Sequence, residues 1–302
     1  MTGRALGYRL LGRGFDYLLH LRPAEWPIMA AHTTLGYLLA VGLAGAAGPT
    51  LGVAALGIAL WVVPLNGGTL AINSAFDKDE GDVAYLRQPP PPPKHLFWFG
   101  LVLMLLGDLV SAYTMPKTYR ALYGSCLMLS VLYSVPPFRL KAVAGADWVI
   151  NLLGFGAMTP MAGWATTGRP LDGWIVCVTI GFGALFAALY PLTQLYQFEE
   201  DQRRGDRTFA LVVGLTRSLD VALACAALAF LAFAVAGEQA GWGSDPLRWG
   251  ALAVAAAAWG AVLVPWRRRA RAMTPAEHQR GMHLALGAWA VTDLAALVGW
   301  GR

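Results

Sequence analysis

The sequence predicts an all-α integral membrane protein, a single bundle of nine transmembrane helices, and three observations predict it. Of 302 residues, 57% are hydrophobic and only 14% charged, with a mean hydropathy of +0.50. A water-soluble domain carries roughly 25% charged residues, so this composition excludes a soluble enzyme. Residues 26–76 contain no Asp, Glu, Lys or Arg. A bilayer-spanning helix needs about 20 apolar residues, so this stretch holds two spans. Finally, the basic residues fall almost entirely on one side of the layout that follows.

In chain order, residues 1–25 form an amphipathic basic segment, with Arg4, Arg9, Arg13 and Arg22 scattered along it. It lacks the short apolar core and small-residue cleavage site of a signal peptide, and is expected to lie on the membrane surface. Residues 26–302 form the membrane domain. Its first two spans share residues 26–76, with the turn at Gly48-Pro49. Further charge-poor stretches follow at 95–116 (interrupted by Asp108), 121–138, 148–168, 173–198, 221–237, 249–266 and 284–301 (interrupted by Asp293). No soluble domain fits between them. Pro89 to Pro93 stop any helix and read as a rigid polyproline spacer.

Nine spans put the termini on opposite sides. With the N-terminus inside, the outer side receives only Lys117, Arg120, Arg169, Arg248 and Arg302, and the other 18 of the 23 basic residues lie inside. That split orients the chain with its N-terminus and the loops beside it in the cytoplasm. The net charge of +5 then reflects topology and attraction to anionic lipid, not nucleic-acid binding. Cys126, Cys177 and Cys225 fall within spans, far beyond metal-ligand spacing, and read as packing residues. The five histidines form no metal-spacing motif either.

Acidic residues gather in two places, both at inner helix ends. The first runs from Asn73 through Asp77, Lys78, Asp79 and Glu80 to Asp82. On a helix Asn73 and Asp77 stand at i, i+4, so an amide oxygen and a carboxylate share one face and suit one hard cation. The second is Gln197-Phe198-Glu199-Glu200-Asp201, where Gln197, Glu200 and Asp201 repeat the i, i+3, i+4 spacing. Mg²⁺ is held by one or two carboxylates plus substrate phosphates, which such incomplete oxygen sets provide. The ligand so implied is a diphosphate, with Lys78, Arg139, Lys141, Arg203, Arg204 and Arg207 near the same face to neutralise it. Asp108 and Asp293, inside spans, are costly there, and each suits a functional or a helix-linking role equally.

These segments resemble the UbiA superfamily of intramembrane prenyltransferases. Asn73 and Asp77 match its first motif, Asn-Asp-x-x-Asp-x-x-x-Asp; Asp201, Gly205 and Thr208 match the second, Asp-x-x-x-Asp leading to Gly-x-x-Thr. Tyr133-Ser134-Val135-Pro136-Pro137-Phe138-Arg139-Leu140-Lys141 is similar to the loop after the family's fourth helix, with Asn151 following, and Arg22-Pro23 to the start of its first. The sequence departs at Ser74, where the family has Asp, at Gly81, with Asp82 one residue late, and at Gln197, where the second motif begins with Asp. Asp79, Asp82, Glu199 and Glu200 are the candidates to replace the lost carboxylates.

The resemblance implies an active site at the cytoplasmic-side helix ends, with Asn73, Asp77 and Asp201 catalytic and Asn73, Asp77, Gln197, Glu200 and Asp201 around Mg²⁺. Lys78, Arg139, Lys141, Arg207, Tyr133 and Asn151 would bind the diphosphate. It implies transfer from an allylic prenyl diphosphate to a lipophilic acceptor. The allylic carbon–oxygen bond ionises as charge on the departing diphosphate is stabilised, inside an apolar cavity that excludes water. Trp61, Phe76, Tyr133, Phe155, Tyr190 and Tyr196 are candidates to line that cavity and stabilise the cation through their ring faces. Two other readings stand beside it: a membrane terpene cyclase, with the same ionisation and no acceptor, and a non-catalytic transporter or lipid-binding protein.

Overall fold

The computed structural model describes residues 3–77, 86, 88–205 and 207–301, with only the backbone of Glu199, Glu200 and Arg204. Lys78, Asp79 and Asp82 lie outside the described residues, as do the side chains of Glu199 and Glu200.

Among the described residues the protein is helical throughout, without a β-strand. Two short helices, α1 (Gly3–Leu11) and α2 (Phe15–His20), precede the bundle. The bundle comprises α3 (Trp26–Val41), α4 (Leu51–Asp77), α5 (Leu96–Thr114), α6 (Lys117–Ser134), α7 (146–165) and α8 (Gly173–Gln194). Short helices α9 (Phe198–Arg204) and α10 (Phe209–Val213) follow, then α11 (Leu215–Gln239), α12 (Pro246–Ala272) and α13 (Pro275–Trp300). Of these, α4, α5, α8, α11, α12 and α13 are long and apolar enough to cross a membrane. Helix α3, with 16 residues, is shorter than that, and α6 and α7 are more polar or irregular.

Local chemistry sets the helix ends. Asp245 caps α12, accepting from the backbone N–H of Leu247 and Arg248 at 3.0 and 3.2 Å, ahead of Pro246 in the first turn. Thr274 and Glu277 form a reciprocal capping box at the start of α13. The turn expected at Gly48-Pro49 lies in the 42–50 connection between α3 and α4.

Two helices widen into π-helical turns midway. In α4 the widening runs over Trp61–Gly67 and contains Pro64, which has no N–H to return to the preceding turn. In α7 it runs over Leu152–Met158, just before Pro160, and the Thr159 hydroxyl donates to the carbonyl of Gly154 at 3.0 Å. Both turns face the same cavity, described below.

Helix α8 runs through the centre, with Phe182, Leu185, Ala188 and Leu192 fully buried against α11 and α13. Helices α3 and α7 touch backbone to backbone: a Cβ at Gly36 would fall 1.7 Å from the Pro160 carbonyl oxygen, and one at Gly163 1.8 Å from that of Thr33. Only glycine fits at either position. The outer faces are apolar, with Leu105, Leu106 and Leu109 on α5, Val254 on α12 and Leu294 on α13 all exposed, as suits a bundle whose solvent is lipid. Asp293 faces inward to a helix partner, 3.3 Å from His32 Nδ1 on α3, whose ring meets Phe182 and Trp289 edge-on.

Candidate active site at one end of the bundle

The last turn of α4 carries Asn73 and Asp77 on one face. The loop after α6 returns Arg139 and Lys141 to the same place, with Arg139 in the left-handed region (φ 37°) so that its neighbours turn inward. Lys141, buried, donates to Asn73 Oδ1 at 3.1 Å and forms an ion pair with Asp77; Arg139 Nη2 stands 3.7 Å from Asp77 Oδ1. The amide and carboxylate oxygens therefore converge on one cation position, filled here by the Lys141 ammonium.

Two oxygens around one cation position suit Mg²⁺ completed by water and diphosphate oxygens. Among the described residues no three His, Cys, Asp or Glu side chains gather around a point, so Asn73 and Asp77 supply part of a shell.

Asn73 also lines a cavity of about 380 Å³ that runs into the bundle. Tyr133, Asn151 and Gln197 line it too, so four of the expected residues share one space. The Tyr133 and Tyr190 hydroxyls meet at 3.1 Å, and Asn151 donates to the Asp147 carbonyl at 2.8 Å. Five of the six aromatic candidates, Trp61, Tyr133, Phe155, Tyr190 and Tyr196, are on the cavity wall. Phe76 is not; it packs on Phe97 of α5, ring centres 5.4 Å apart.

The second motif folds as a short helix and turn. Gln197 precedes α9, Asp201 on α9 is buried and accepts from the Thr208 hydroxyl at 3.1 Å, and Gly205 takes the positive φ (72°) that ends the helix. Arg207 is exposed and does not line the cavity.

Three residues matter here that motif reasoning passes over or leaves without a role. Asp147 is fully buried and accepts from the backbone N–H of Gly145 and Phe209, both at 2.9 Å, and from Gln194 Nε2 at 3.1 Å, while Gln194 Oε1 accepts from the Ala210 N–H at 2.9 Å. This clamp fixes the segment that follows Thr208 against α7 and α8. Its only trace in the sequence is an acid one turn from Asn151. Arg22 and Glu25 both line the cavity ahead of α3. Arg22 is buried in a left-handed conformation (φ 50°) with Nη2 3.4 Å from the Ser74 hydroxyl, the residue standing where the family motif has Asp. Glu25 Oε2 is buried without a hydrogen-bond partner, and burial pushes its carboxyl above the usual carboxylate range against the opposing pull of Arg22.

The profile of the UbiA prenyltransferase family matches residues 33–287. No curated protein matches by sequence. Among solved structures, a UbiA homologue from Archaeoglobus fulgidus bound to DMAPP and Mg²⁺ is similar at 17% identity and a TM-score of 0.67, covering 93% of this chain and 99% of that one. The same homologue bound to GPP and Mg²⁺ gives 0.65, at the same identity and coverage. A structure of digeranylgeranylglyceryl phosphate synthase gives a TM-score of 0.71 at 14% identity, over 94% and 97% of the two chains. These likenesses agree on the helical fold, and with a profile match spanning most of its length, this chain belongs to the UbiA prenyltransferase family.

Proposed function

We propose that this multi-pass membrane protein transfers a prenyl group from an allylic prenyl diphosphate to a lipophilic acceptor, with release of diphosphate. One observation carries the reading: Asn73 and Asp77 converge with Lys141 on one cation position at the mouth of an aromatic-lined cavity. The Archaeoglobus homologue's bound DMAPP or GPP with Mg²⁺ supports it. The cavity draws its polar end from the chain just ahead of α3, the end of α4, the end of α6, the start of α7, the segment after α8 and the start of α13. That alternation supports nine crossings, with α3, α6 and α7 spanning beside the six longer helices, and the excess of basic residues supports a cytoplasmic mouth.

Mg²⁺, when bound, stabilises negative charge on the diphosphate oxygens. Asn73 and Asp77 would hold it, with Asp201, Gln197 and Glu200 from the second motif as further candidates. Lys141 and Arg139 contact the departing group directly and shift from Asp77 toward the diphosphate. Tyr133 and Asn151 orient the donor at the mouth, with Lys78, next to Asp77 in the sequence, and Arg207 as further candidates to bind the diphosphate. The cavity excludes water, so the allylic cation survives to meet the acceptor, while the faces of Tyr133, Tyr190 and Phe155 stabilise it.

The test is diphosphate release by detergent-purified protein with Mg²⁺ and a panel of prenyl diphosphates, with and without lipophilic acceptors, against Asp77→Ala. Release that needs both Asp77 and an acceptor supports transfer. Acceptor-independent release with a terpene product assigns cyclisation, and no release from well-folded protein refutes both.

A further inference from the structure

We propose that Trp61 is the floor of the donor cavity and limits the prenyl chain to about three isoprene units. The inference rests on the prenyl-transfer reading and adds a substrate class to it.

Trp61 lies in the π-helical turn of α4 and is 1% exposed, yet it lines the cavity. Its indole N–H donates to the Thr159 hydroxyl on α7 at 3.3 Å, so a side-chain bridge crosses the bundle there. Behind the bridge the interior is solid. Tyr119 and Tyr123 are fully buried with ring centres 6.0 and 6.3 Å from Trp61, and their hydroxyls donate to the carbonyls of Gly57 and Met104 at 2.7 and 3.2 Å. Ala162 and Ala165 complete the plug.

Helix α4 carries both ends of the cavity, Asn73 at the mouth and Trp61 at the floor. Twelve residues at a rise of 1.5 Å separate them by about 18 Å. An isoprene unit adds four main-chain carbons, which at about 1.25 Å of advance per bond is about 5 Å. Three units fill that depth, and a fourth meets the indole.

The experiment measures binding by calorimetry, with Mg²⁺ and unreactive thiolo-diphosphate analogues carrying five-, ten-, fifteen- and twenty-carbon prenyl chains. Wild type is expected to bind the ten- and fifteen-carbon analogues at least about tenfold more tightly than the twenty-carbon one. Trp61→Leu is expected to bring the twenty-carbon analogue to within about threefold of the fifteen, and Trp61→Phe to keep the wild-type order. Gly154→Val tests the wall independently of the floor. A Cβ there meets only Cys126 Sγ, at 3.7 Å, so the added bulk enters the cavity and shifts the preference one unit shorter. Equal wild-type binding of fifteen and twenty carbons overturns the proposal, as does an unchanged preference in both folded Trp61→Leu and Gly154→Val. Binding of none of the four analogues would instead overturn prenyl transfer itself.

Discussion

Lys141 and Asp77 form a buried ion pair that joins two motifs 64 positions apart in the sequence, and the same ammonium reaches Asn73 Oδ1 at 3.1 Å. The side chain expected to hold the diphosphate thus neutralises Asp77 and hydrogen-bonds Asn73, the two expected to hold the metal. Removing either partner takes the nearest countercharge from the other in a place where each side chain is only about a tenth exposed. Asp77→Asn and Lys141→Met are each expected to lower stability by about 2–3 kcal/mol, and the double replacement by about 1–2 kcal/mol less than the sum. Thermal unfolding of the four proteins in one detergent measures this, and strict additivity would show that the pair is energetically uncoupled.

Because an ammonium occupies the shared cation position, Mg²⁺ alone must compete with it. Diphosphate offers Lys141 another partner and the metal more oxygens, so the two ligands are expected to bind cooperatively. Titrating Mg²⁺ with and without inorganic pyrophosphate should give an affinity at least about tenfold higher with it, and chelation should abolish the pyrophosphate-dependent stabilisation. Equal affinities in both titrations would place the metal away from Lys141.

Asp147 never touches the cavity, yet three donors end on its carboxylate. Asp147→Ala leaves the Phe209 N–H and the Gln194 amide buried without an acceptor. The expected loss is about 3–4 kcal/mol, since hydrogen bonds to a charged group contribute about 1.5–3 kcal/mol each. Asp147→Asn turns one acceptor into a donor facing other donors and should recover only part of it. The Asp201–Thr208 turn leads directly into the clamped residue, so donor affinity should fall in step with stability. Calorimetry with the fifteen-carbon analogue checks that coupling; unchanged affinity in Asp147→Ala would confine the clamp to folding.

The bundle was legible because apolar stretches without charge leave the chain few alternatives in a bilayer, and the α4 motif because i, i+4 spacing is a property of one helix. What joins the site was less so. Nothing in the order of residues 139–141 says that Lys141 returns to Asp77 and not to a lipid headgroup; the left-handed Arg139 does that. The π-helical turns that bring Trp61 and Phe155 to the cavity follow from Pro64 and Pro160, which from sequence alone predict only interrupted helices. Phe76 shows the converse: one residue before Asp77, it points away to Phe97, because neighbours on a helix face different directions.

Glu25 gives a prediction whose sign depends on pH. Its carboxyl is raised by burial, and Oε2 lacks a partner, so the ionised form is the costly one in the folded protein. An acid with a folded-state pKa above its unfolded value takes up a proton on folding between those two values. Stability therefore falls as pH rises from the ordinary glutamate range near about 4.3 through the raised value, and the penalty is fully present above it. Glu25→Gln removes the charge and keeps the shape, so the variant should unfold at a higher temperature than wild type at about pH 8, with the difference closing toward about pH 4. Melting curves of both proteins across that range make the comparison. A variant less stable than wild type at the alkaline end would mean that the carboxylate is held by Arg22 strongly enough to outweigh its burial.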